Sequence, residues 1–178
     1  MSRNSPVSDF SFLPVHAALV SYLPPGGGIR VVPAGWVGIV CSRPVVLSVA
    51  VPPFRFEFCR EKAFAVNLPA DDLLSSASLA KMLADQEADF PSSPVLTFTP
   101  GGVEGSFLIQ QCPVRMECRL AGNRSRFGQD FLDGEVVAVH MDETLFAGEE
   151  LSASTRRLAS FAKAWNRCLN PGGGEARV

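Results

Sequence analysis

The residues able to do chemistry are few and scattered. Only two histidines occur, His16 and His140, so a histidine-based zinc site is not expected. Five cysteines, Cys41, Cys59, Cys112, Cys118 and Cys168, include no CxxC pair. An odd count with open spacing argues against a disulfide framework and a thioredoxin-like centre. They read as free thiols, small residues of the core. No acid, base and nucleophile form a catalytic constellation. What remains are features suited to holding a ligand. Pro33-Ala34-Gly35 supplies small residues where a backbone can approach a flat ring closely, with Trp36 available as a pocket wall or a core side chain. Arg55 is the one cation of the turn Pro52-Pro53-Phe54-Arg55-Phe56. A guanidinium there suits a phosphate, or pairs with Glu57 or Glu61. Arg124 and Arg126, in a later polar stretch, are further cations of this kind or simply solvated.

The elements that must position these residues are mostly strands. Apolar, Val-rich runs at 29–32, 37–41 and 45–51 are separated by Pro33-Ala34-Gly35 and Ser42-Arg43-Pro44, and a fourth follows at 64–68. Runs of this length bounded by Pro and Gly favour strands over helices. They are too uniformly apolar for a one-sided surface sheet, so burial on both faces, in a small closed barrel or a dimer core, is expected. An earlier strand is expected at 16–23, before the turn Pro24-Pro25-Gly26-Gly27-Gly28. Later strands are expected at 95–99, 107–111, 114–120 and 131–141. Val114, Met116, Cys118 and Leu120 alternate with Arg115, Glu117 and Arg119, which predicts one apolar face inward and one charged face out. The stretch 123–130, NRSRFGQD, reads as a polar loop. Helical segments are expected at 56–62, at 71–84 behind Asp71 and Asp72, and at 149–169.

With 178 residues the chain is about one domain. We divide it into an arm (1–12), a main domain (13–147), a C-terminal helix (148–170) and a tail (171–178). Hydrophobic residues make up 47% and charged residues 19%, an excess of apolar surface that suits burial between the subunits of a homodimer. A net charge of −2 gives no reason to expect a nucleic-acid partner. No apolar run reaches the ~20 residues that span a bilayer, and the N-terminus lacks an apolar signal core. No membrane partner and a cytoplasmic location are therefore expected.

Taken in order, these pieces resemble the flavin reductase-like, flavoredoxin-type FMN-binding split barrels. Val31-Val32-Pro33-Ala34-Gly35-Trp36 resembles the segment that wraps the flavin ring. Ser42-Arg43-Pro44-Val45-Val46-Leu47-Ser48-Val49-Ala50-Val51 resembles the next strand, which leads to the phosphate. Phe64-Ala65-Val66-Asn67-Leu68-Pro69-Ala70-Asp71-Asp72-Leu73-Leu74 is similar to the strand-then-helix signature. Cys112-Pro113-Val114-Arg115-Met116-Glu117-Cys118-Arg119-Leu120 and Gly134-Glu135-Val136-Val137-Ala138-Val139-His140 resemble later strands.

The resemblance implies a mainly β, antiparallel, Greek-key-like split barrel of six strands with flanking helices, assembled as a homodimer. It implies FMN as cofactor, with Pro33, Ala34, Gly35, Trp36 and Val37 around the ring. Val49, Ala50, Val51, Phe54 and Arg55 would then lead to the phosphate, Arg55 as its main anchor. Pro52 and Phe54 stand where the family carries polar anchors, Gln129-Asp130 where it often has a histidine, and LADQEADFPSSP does not match its loop near the ring. Two functions follow as expectations. One is an FMN-binding oxidoreductase passing hydride or electrons between NAD(P)H, or an electron-carrier protein, and an acceptor. The other is a split-barrel homodimer that has lost FMN and serves as a scaffold or small-ligand binder.

Overall fold

The structure is a computed structural model that describes residues 18–51, 63–70, 73 and 96–145. Nine strands occur among these residues: β1 (Ala18–Tyr22), β2 (Arg30–Ala34), β3 (Trp36–Ser42), β4 (Val45–Val51), β5 (Ala63–Leu68), β6 (Phe98–Pro100), β7 (Phe107–Ile109), β8 (Val114–Arg126) and β9 (Gln129–Met141). A single 3-10 turn, Glu143–Leu145, follows. The main sheet is antiparallel throughout, in the order β2-β1-β5-β8-β9-β4-β3, and β6 and β7 form a separate two-stranded sheet.

The two edges of the main sheet, β2 and β3, are joined by Gly35 alone. One residue between strands at opposite edges forces the sheet to curl on itself. Gly35 N–H donates to Ala50 O at 2.9 Å, tying the corner to β4. Away from the corner the curl opens, because β5 pairs with β8 only over 114–119 and no described strand flanks β8 beyond. This is a split barrel. Its main sheet has seven strands rather than six, and Pro33 and Ala34 belong to β2, paired with Leu19 and Ala18, instead of forming a separate kink.

The inner face carries the core. Leu47, Val49 and Val51 of β4, Phe64, Val66 and Leu68 of β5, Val114, Met116 and Cys118 of β8 and Leu132 of β9 meet there, all essentially buried. Period-two alternation puts them on one side. The outer face of β1, β5 and β8 is covered as well, by β6, β7 and the loop 101–106. Polar side chains stitch these layers together. Ser21 Oγ donates to Phe107 O, and Ile109 N–H donates to Asn67 Oδ1 at 2.9 Å. Val103 N–H and Ser106 Oγ donate to Glu117 Oε2 at 2.8 and 2.7 Å. Glu117, expected on a wet face, is therefore buried, because a second layer sits on that face.

Two further expectations need correction. The stretch 123–130 is not a loop. β8 and β9 run on through it as a long hairpin closed by Phe127-Gly128, with φ of 53° and 70°. Two positive φ values in a two-residue connection suit the twist of the flanking strands, and paired ladder bonds outweigh the polar composition. β3, expected to be buried, is largely exposed at Trp36, Ile39 and Val40. The helical segments at 56–62, 71–84 (apart from Leu73) and 149–169 lie outside the described residues, as do the arm and the tail. No described helix is long and apolar enough to cross a membrane.

Candidate functional site

The expected ring-wrapping segment lies at the corner where the barrel closes. Its side chains divide between two faces. Ala34 is 3% exposed in the core, and Val37 packs against the same cluster. Val49 and Val51 are core residues, so only their backbones are available to a ligand. Pro33 is partly exposed, and Ala50 lies beneath the outer face at 6%. Gly35 is exposed, and a Cβ placed on it would touch nothing within 4 Å. The corner thus presents bare backbone to open space. Phe54 and Arg55 lie outside the described residues.

Beside the corner, Trp36 is 39% exposed and its indole lies over Gly38, where any Cβ would overlap the ring. Glycine at 38 is what lets the indole lie flat along the strand. Cross-strand register extends this face into two rows. Trp36 is opposite Ala50, Ala50 opposite Phe131 and Phe131 opposite Arg124. Gly38 is opposite Ser48, and Ser48 opposite Asp133. Arg124 leans from the first row to the second. Its Nη2 donates to Ser48 Oγ at 3.1 Å, its Nη1 pairs with Asp133 Oδ2, and its guanidinium sits 5.3 Å from the Phe131 ring centroid. A cation from residue 124 thereby reaches Ser48, the residue opposite Gly38, over which the indole of residue 36 lies. Sequence reasoning singled out Arg124 but not Ser48, Phe131 or Asp133. A lone serine in the apolar run Leu47-Ser48-Val49 was the available signal for Ser48.

A second polar cluster centres on Glu117, 1% exposed. Besides Val103 and Ser106, its carboxylate meets His140 Nε2 at 2.7 Å. Burial pushes the carboxyl up, but bonds from Val103 N–H, His140, Ser106 and Gly102 N–H outweigh it and hold the pKa at about 2. Burial pushes the Cys112 thiol up to about 12 and Cys118 higher still. Among the described residues, no group of His, Cys, Asp or Glu is placed to hold a metal.

No curated protein matches the chain. Solved structures do. Flavoredoxin from Methanosarcina acetivorans superposes with a TM-score of 0.68 at 19% identity, over 87% of this chain and 83% of that one. An FMN-binding protein from Thermus thermophilus, solved with p-hydroxybenzaldehyde, gives 0.63 at 20% identity over 83% of each chain. An NADH:FAD oxidoreductase from Streptomyces globisporus, in complex with NAD and FAD fragments, gives 0.57 at 20% identity over 72% and 76%. At these identities the likeness concerns the fold, the same curled antiparallel split barrel. The sequence model of the flavin reductase like domain matches residues 10–160, most of the chain. This chain belongs to the flavin reductase like domain family.

Proposed function

We propose that this protein binds FMN with its ring at the β2–β3 corner and works as a flavin-dependent oxidoreductase. The observation that carries the reading is the corner itself. Exposed Gly35 faces open space, Trp36 stands half-exposed beside it, and both belong to the segment that resembles the family's ring-wrapping stretch. A flat, largely apolar ring needs such an approach, with backbone groups at its polar edge. The exposed backbone at Gly35 and the indole of Trp36 would hold the ring, the backbone through carbonyl oxygen, since Gly35 N–H is already bonded to Ala50 O and Pro33 has no N–H. The flavin supplies the hydride or electron chemistry when bound. The chain's own residues bind and orient it, and the surrounding apolar strands limit water at one face. NAD(P)H or an electron-carrier protein is the donor in this reading, and a homodimer its working form.

A second reading is favoured by Pro52 and Phe54, which offer neither N–H nor hydroxyl to a phosphate. In that reading the barrel persists as a scaffold or small-ligand binder without flavin. Titrating FMN and riboflavin with the purified protein, read by quenching of flavin fluorescence, separates the two. Binding of either flavin at micromolar concentration supports the first. Absence of binding by both supports the second.

A further inference from the structure

The outer face of β8, β9, β4 and β3 holds a guanidinium whose placement surface ion pairing alone does not explain. Arg124 is a long side chain on a projecting hairpin, where rotamer freedom ordinarily wins. Here three partners on two strands fix it: Asp133 and the ring of Phe131 on β9, and the hydroxyl of Ser48 on β4. Ser48 is fully buried, so the contact is anchored in the sheet. The Arg124 side chain still remains 49% exposed, and a guanidinium has more N–H groups than these contacts use. Ser48 is directly opposite Gly38, which lies under the Trp36 indole, so the cation is bonded to the β4 residue paired with the one beneath that ring. Arg126 follows two positions on, on the same face of β8. Asp133 and Glu135 are the acidic residues of that face on β9.

We propose that Arg124, held by Ser48, Asp133 and Phe131, is the cation that receives the phosphate of bound FMN, with Arg126 adding to its field. The inference rests on the flavin reading and deepens it. It moves the anion anchor from the segment 52–56, where Arg55 is flanked in sequence by prolines and phenylalanines, to the β8–β9 hairpin. Asp133 orients the guanidinium but opposes an incoming anion. Ser48 and Phe131 hold Arg124 without that opposition.

The test uses the full chain and titrates FMN and riboflavin against wild type, Arg124→Ala, Arg124→Lys, Asp133→Asn and Arg55→Ala at low and high salt. Arg124→Ala should weaken FMN about tenfold or more while leaving riboflavin within about twofold, the size expected of one charge-assisted contact. It should also flatten the salt dependence of FMN binding. Arg124→Lys should retain part of the preference for FMN. Asp133→Asn should tighten FMN, because a repelling charge is removed while two supports remain. Equal loss of both flavins in Arg124→Ala, or weaker FMN binding in Asp133→Asn, would show a structural role and overturn the assignment. So would a phosphate-selective loss in Arg55→Ala alone. A wild-type protein that binds both flavins equally sinks this inference and spares the flavin reading. One that binds neither sinks both.

Discussion

His140 Nε2 lies 2.7 Å from Glu117 Oε1, joining a half-exposed imidazole to a carboxylate that water does not reach. The same carboxylate binds the loop 101–106 from its other oxygen. Position 101 cannot carry a side chain, since a Cβ there would run into Ser106 Oγ and the Glu117 carboxylate. The loop 101–106 is thus fastened to β8 through a buried charge, beside the apolar cluster of Leu19, Leu96, Ile109 and Cys112 that seats the rest of this layer.

That arrangement has a pH signature. The folded pKa of Glu117, about 2, lies below its ordinary value of 4.5. Its stabilisation is present in full above the ordinary value and fades as pH falls toward 2, amounting to about 3 kcal/mol. Urea unfolding at pH 7, 4 and 2.5 should show a steeper acid loss in wild type than in Glu117→Gln. At pH 7 that variant should be less stable by roughly 1–3 kcal/mol, because its amide N–H groups face donors. Parallel acid profiles for the two proteins would contradict this account.

Asn67 is fully buried and spans two layers, donating to Leu19 O at 3.1 Å and Ser21 Oγ at 2.9 Å while accepting from Ile109 N–H. Asn67→Ala should cost about 2–4 kcal/mol, since it leaves the Ile109 N–H without its acceptor. Amide exchange at Ile109 should accelerate more than at Met116. Uniform acceleration would mean that Asn67 supports the whole barrel equally.

Gly38→Val should displace the Trp36 indole. In a Trp165→Phe background, Trp36 is the remaining tryptophan, and its emission should shift to the red. The stability cost should be modest, about 1–3 kcal/mol, because a half-exposed ring can move outward. Flavin binding should weaken together with the spectral shift. An unchanged spectrum would show that the indole does not lie over position 38.

Exposed Trp36, Ile39 and Val40 on edge strand β3 suit burial against a second copy. Light scattering at micromolar concentration should give a dimer, with an obligate interface of about 2,000 Å² or more. Val40→Lys should shift the population toward monomer. A monomeric wild type would exclude dimerisation through β3.

Thiol titration of denatured, unreduced protein should count all five cysteines. In the native protein, exposed Cys41 should react far faster than Cys112 and Cys118, whose thiols burial keeps protonated.

Much of the barrel was legible because its signals are local. Val45–Val51 could be bounded from its β-branched run and flanking Pro residues, and the alternation of Val114, Met116 and Cys118 named the inward face of β8. Family resemblance added the split-barrel architecture. What the sequence could not show depends on which distant strand lies alongside. Glu117 reads as a surface charge until β6–β7 covers it. The segment 123–130 reads as a loop until β9 pairs with β8 across it. Ser48, Asp133 and Arg124 are unremarkable apart, and only cross-strand register brings them together. Side-chain period and turn chemistry are encoded within a few residues. The meeting of residues 48, 124 and 133 is decided by the order of the strands β8-β9-β4, which no local pattern records.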